Sequence, residues 1–322
     1  VVLSSDLYKD LYATTEVLKN TDLSTIIKSF RDVGANTRQA VEGMQQVVDV
    51  ARQSGVNAQK VSDQVLENMS NMNQFTFQGG VEGLAKMAAQ AVSLRVNMNS
   101  TLKLAERLFD PENAIDMAAA MQRLGATQSD LLDPLRLMDL AQNDPTELQN
   151  QIVQMSEKFV QLNAKGQFEI MPGARRQLME ISKAMQIPYD DLTKMALGSA
   201  DLDKKMREIK FPTDAVSEDQ RQMIANMAEV GKNGKYEVTF TTQNKDTGEL
   251  MKVTKSIEDL TKEDIDQLQK AGEKKSLEDI QKESLDLTKL SESHLAAISE
   301  SIKKGAVTSK VAGKTMDATR KV

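Results

Sequence analysis

An aspartate followed directly by proline occurs at Asp110-Pro111, Asp133-Pro134 and Asp144-Pro145, and no other feature of the chain limits its fold so tightly. Proline presets φ near the helical value and has no N–H to donate, so it suits the first position of a helix and breaks one further in. The aspartate before it accepts a hydrogen bond from a free N–H of the first turn. Each pair therefore starts a new helix. The middle of the chain must be a series of short helices with abrupt turns. At NDPTELQNQI, Glu147 stands three residues after Asp144, close to a capping box. All six prolines lie between Pro111 and Pro212, at helix starts or in loops, as a compact helical region requires.

Composition sets what fills the interior. The chain has 322 residues, enough for two ordinary domains, with 40% hydrophobic but only 4% aromatic residues, no Trp and 18 Met. Its core must be built from Leu, Ile, Val, Ala and flexible Met. With no Cys there is no disulfide, thiolate nucleophile or cysteine metal site, and a single His leaves little for metal chemistry. A net charge of −6 opposes tight binding to a phosphate backbone, which needs clustered Lys and Arg. The longest charge-free run, Asn68 to Val81, is rich in Asn, Gln, Ser and Gly and is no membrane span, and there is no signal-peptide pattern. The start at Val-Val and the uncapped end at TMDATRKV read as a segment of something longer.

Along the chain the pattern predicts an all-α, multi-helical fold with one β-hairpin at about 236–255 and a C-terminal amphipathic helix. Residues 1–80 read as N-terminal helices. In TRQAVEGMQQVVDVARQSG the residues Val41, Met44, Val47, Val48 and Ala51 form one apolar stripe, closed by Gly55. The polar stretch NMNQFTFQGG places a boundary at Gly79-Gly80. Residues 81–230 read as a compact helical domain. Within it, Ala120-Met121-Gln122 followed by Leu135, Met138 and Leu140 resembles Ala184-Met185-Gln186 followed by Leu192, Met195 and Leu197, which hints at a duplicated helix-loop-helix. Residues 231–255 switch to a period of two, with Tyr236, Val238 and Phe240 alternating, and Met251 and Val253 after the turn. The hairpin predicted is Tyr236 to Thr242 with Glu249 to Lys255, and it must pack on helices or on another chain to be stable. Residues 256–322 are a charged amphipathic helix whose thin stripe, Leu277, Ile280, Leu287 and Ile298, wants a partner helix and suits self-association in several copies.

Chemistry-bearing residues are few. His294 falls on the seam of Leu287 and Ile298 and reads as a tolerated polar position. The acids Asp190, Asp191, Asp201 and Asp203 are candidates for paired carboxylates in acid–base work, but Asp190 and Asp191 follow IPY at a helix start, where capping and the macrodipole account for them. NKDTGE fails as a calcium loop because Gln243, Lys245 and Thr247 stand where carboxylates belong. GKNGK fails as a phosphate loop because a strand follows it. Arg175-Arg176 and Lys274-Lys275 read as solvated pairs. No nucleophile, base and oxyanion donors come together, so no catalytic, cofactor or metal site is expected and the chain reads as no enzyme. A pocket holding a carboxyl of raised pKa would reopen that reading.

The fragments LLDPLRLMDLAQNDPTELQ, NAKGQFEIMPGARRQ and YDDLTKMALGSA carry a resemblance. The run from about Val81 to Pro212 resembles the tail tape measure proteins of large tailed bacteriophages, and the flanks match only in character. The resemblance implies a structural virion protein made in the host cytoplasm. It would lie in the tail lumen, set tail length during assembly, leave with ejected DNA, and contact tail tube and baseplate hub proteins. It brings no catalytic residue and no sequence-specific nucleic acid. Because a helix rises about 1.5 Å per residue, chain length converts into distance; short capped helices and a hairpin instead describe a folded module at the tail tip or hub. The alternatives are a packaged cargo protein ejected into the host and a peptidoglycan-active module.

Overall fold

The computed structural model describes Leu18 and residues 23–126, 129–164, 166–211, 216–231, 233–243 and 250–270. It is mostly helical, with a small antiparallel strand pair and a small sheet. The predicted seam of Leu277, Ile280, Leu287 and Ile298, with His294 and Lys274-Lys275, lies outside the described residues, as do residues 1–17 of the predicted N-terminal helices and the turn NKDTGE.

Three helices open the fold: α1 (Leu23–Asp32), α2 (Thr37–Gln53) and α3 (Ala58–Asn68). A full capping box starts α2, with the Gln39 N–H donating to Asn36 Oδ1 at 3.0 Å and the Asn36 N–H donating to Gln39 Oε1 at 2.9 Å. The whole predicted stripe from Val41 to Ala51 is buried. Gly55 follows the Ser54 C-cap at φ +66°, and a Cβ there would collide with the Met223 carbonyl, so this turn needs glycine twice over. The stretch after α3 forms a 3-10 helix, Met69–Asn73, and then a strap. Phe75 and Phe77 insert into the core, the Thr76 N–H donates to the Gln142 carbonyl at 2.8 Å, and Gln78 Nε2 donates to Asp144 Oδ2 at 3.1 Å. The break in periodicity at Gly79-Gly80 is thus no break in packing. One buried cluster runs from Leu18 to Ala196 across it.

The next five helices are α4 (Val81–Ser93), α5 (Asn99–Arg107), α6 (Pro111–Arg123), α7 (Pro134–Asn143) and α8 (Pro145–Glu157). All three Asp-Pro pairs do what their chemistry dictates. Asp110 accepts the Glu112 N–H at 2.9 Å, Asp133 the Leu135 N–H at 2.9 Å and Asp144 the Glu147 N–H at 3.0 Å. Only half of the box expected at Asp144 forms. Its own N–H closes α7 on the Leu140 carbonyl at 2.9 Å, so the Glu147 side chain turns instead to Asn150 and Gln151.

After α8 comes a short hairpin with no counterpart in the sequence reading, β1 (Val160–Leu162) paired antiparallel with β2 (Phe168–Ile170). Asn163 and Gly166 close it, and Lys204 lies over the Phe168 ring at 5.8 Å from its centroid. Helices α9 (Arg175–Met185) and α10 (Tyr189–Glu208) complete the first core. The hinted duplication is not matched in burial. Met121 and Met185 are both buried and α6 packs on α9, but Leu135 is 77% exposed where Leu192 is 0% exposed.

Helix α10 runs on from the first core into a second. Leu192, Met195 and Ala196 belong to the first, whereas Leu202 and Met206 pack on the second. That second core joins α11 (Glu218–Met227), a sheet of order β3 (Glu229–Val230), β4 (Tyr236–Gln243), β5 (Leu250–Ser256), and α12 (Lys262–Lys270). The predicted hairpin is present, shifted by one residue in its second strand, with Phe240 opposite Val253. The third strand, β3, has no counterpart in the sequence pattern; Gly231, Gly234 and Lys235 of GKNGK lie where it joins β4, with the Gly231 N–H donating to the Lys235 carbonyl. Of the charged C-terminal stretch, residues 256–270 are described: a 3-10 helix, Ile257–Asp259, and then α12. Lys255 Nζ reaches both Asp264 oxygens at 2.8 Å, and Thr261 donates its N–H and hydroxyl to Asp264 Oδ2. Burial raises the Asp264 pKa, but these donors more than offset it and hold the carboxyl below its ordinary value. No helix among the described residues is long and apolar enough to cross a membrane.

Candidate functional site

A cleft of about 710 Å3 opens where the end of α2, α4, α8, α10 and α11 meet. Its walls are mostly amides, hydroxyls and carboxyls. Along one wall the capping device extends into a chain of side-chain bonds. Asp144 holds the Glu147 N–H, the Glu147 carboxylate accepts from Asn150 at 3.0 Å, Asn150 Oδ1 accepts from Gln90 at 2.6 Å, and Gln90 Oε1 accepts from the buried Gln149 at 2.7 Å. On the opposite side Asn226 of α11 donates to the Ser54 carbonyl at 2.7 Å and accepts from the Ser93 hydroxyl at 2.8 Å, which joins the second core to the first. These amides have partners already, so they stiffen the cleft.

The unusual group is Glu157. Burial, then a hydrogen bond and charge repulsion from Asp203, push its pKa up to about 7, while the Arg207 guanidinium opposes the shift. Glu157 is the last residue of α8, where the negative end of the helix dipole also disfavours a carboxylate. Asp203 projects from α10 and forms a pair with Arg207 one turn on, at 3.3 Å. The arrangement is two carboxyls in contact, able to hold one proton between them.

Of the acids weighed from sequence, only Asp203 meets another carboxyl, and that carboxyl comes from a different helix. Asp201 pairs with Lys205 at 3.3 Å. Asp190 and Asp191 lie in the first turn of α10, but neither side chain caps it. Asp191 instead accepts the Ser100 hydroxyl at 2.8 Å and lies 3.7 Å from Lys194, because Pro188 occupies the cap position and has no side-chain acceptor. Arg175 and Arg176 are exposed at the start of α9. Glu157 itself was missed. The one signal for it in the sequence is an acid in the last turn of a helix, where a basic residue is the favourable choice. Among the described residues no three His, Cys, Asp or Glu side chains are grouped to hold a metal ion.

A second titratable group stands outside the cleft. Burial and a hydrogen bond to Glu208 push the Tyr236 hydroxyl up to about 12, so it stays a neutral donor at 2.9 Å from that carboxylate. Comparison of the chain with protein-family models, curated proteins and solved structures gives no match.

Proposed function

We propose that the chain is a structural component of a phage tail, part of a tape measure protein, acting by shape and assembly. The observation that carries this reading is the use of its acids. The three Asp-Pro carboxylates that punctuate the segment of strongest resemblance all bind backbone N–H groups of the helices they start. Other copies of the chain, tail tube proteins and baseplate hub proteins are the proposed partners, with the protein in the virion after assembly in the host cytoplasm. The longest described helix has 20 residues, about 30 Å at the helical rise, so the packed body contributes a module to the tail more than a length. In-frame deletion of residues 81–212 should therefore block tail completion or ejection without shortening tails in proportion. Proportional shortening would make the region a ruler, and normal infectious particles would end the structural reading. Self-association through the C-terminal stripe is tested by Leu287→Asp, which should lower the oligomeric state seen by light scattering.

One observation favours a second reading, acid–base catalysis in the cleft: the raised carboxyl of Glu157. Glycoside hydrolysis uses two carboxyls in separate roles, whereas these two are hydrogen-bonded to each other, which weighs against a sugar-cleaving module. Clearing of a peptidoglycan suspension by the purified chain, lost in Glu157→Gln, would establish that reading; no clearing by the wild type would remove it.

A further inference from the structure

Helices α8 and α10 pack along the first core, Glu157 and Asp203 both line the cleft that opens between them, and their side chains are hydrogen-bonded. Two carboxyls in contact share a proton or repel. We propose that Glu157 and Asp203 form a proton-operated latch: with one proton between them they hold the end of α8 against α10, and loss of that proton sets two negative charges face to face and loosens the joint. This inference does not rest on the tail assignment.

The surrounding charges leave the latch poorly compensated. From α10, Arg207 is paired with Asp203 but is 79% exposed, so water screens it. From α4, Lys86 lines the same cleft but is 2.7 Å from Glu82. From α11, Asp219 adds a further negative charge, and the end of α2 brings the uncharged Gln53 and Ser54. Lys158, next in the chain, is exposed. A carboxyl raised from 4.5 to about 7 binds its proton more tightly in the folded state. Its stabilising contribution is then complete below about pH 4.5 and is lost as pH rises through about 7. Because α10 continues into the second core, the change would be felt where the cores join.

Hydrogen exchange on the full chain at about pH 6 and about pH 8, corrected for intrinsic rates, tests the latch. Wild-type amides in the last turn of α8 and in α10 around Asp203 should lose about threefold in protection at the higher pH. Glu157→Gln and Asp203→Asn each keep a neutral donor facing the remaining carboxylate, so both should stay protected at both values. Unchanged wild-type protection, or the same loss in the variants, would overturn the latch. If neither variant folds, carboxyl carbon-13 titration of the wild type decides: a Glu157 midpoint between about 6 and 8 supports the proposal, and an ordinary glutamate midpoint refutes it.

Discussion

The two ends of α8 carry the same chemical group in opposite surroundings. At its start, Asp144 meets the Glu147 N–H and the Gln78 amide, donors that welcome a negative charge. At its end, burial and then the Asp203 carboxyl disfavour the charge on Glu157. Surroundings thus decide what a carboxyl does: among free N–H groups it fastens backbone, and half-buried beside a second carboxyl it becomes a group whose proton matters.

The largest effect expected lies in the packing that brings α8 and α10 together. Leu192 is 0% exposed in the first core, and Leu192→Ala should cost about 2–5 kcal/mol by urea unfolding. If the loss is much smaller, α10 is not the spine that holds the comparison together. Next come the caps. Asp144→Ala should cost about 1–2 kcal/mol and exceed the loss for Asp133→Ala, because Asp144 also receives the Gln78 amide from the strap. Equal losses would remove the strap from the account. The smallest effect is at the other end: wild-type stability should fall between about pH 5 and about pH 8, by less than about 1 kcal/mol after solvent screening. That slope should vanish in Glu157→Gln. A retained slope would place the titrating group elsewhere.

Much of this was readable in the sequence where a local rule acts alone. Asp-Pro fixes a helix start within two residues, the Val41 to Ala51 stripe marks a buried face, and the alternation of Tyr236, Val238 and Phe240 marks a strand. The strands of two and three residues in β3, β1 and β2 are too short to show a period. Phe75 and Phe77 sit among polar neighbours, so a core strap read as a loop. The shared L-x-x-M-x-L pattern misled because burial depends on which face each helix turns to its neighbours: Leu135 points out and Leu192 points in. The contact of Glu157 with Asp203 arises from packing between helices far apart in the chain, which no local spacing reports.

Urea unfolding of Asp144→Ala and Glu157→Gln, side by side at about pH 8, tests the central claim most directly. The account predicts opposite signs, with the first variant less stable than wild type and the second more stable. A loss of stability in both would contradict it.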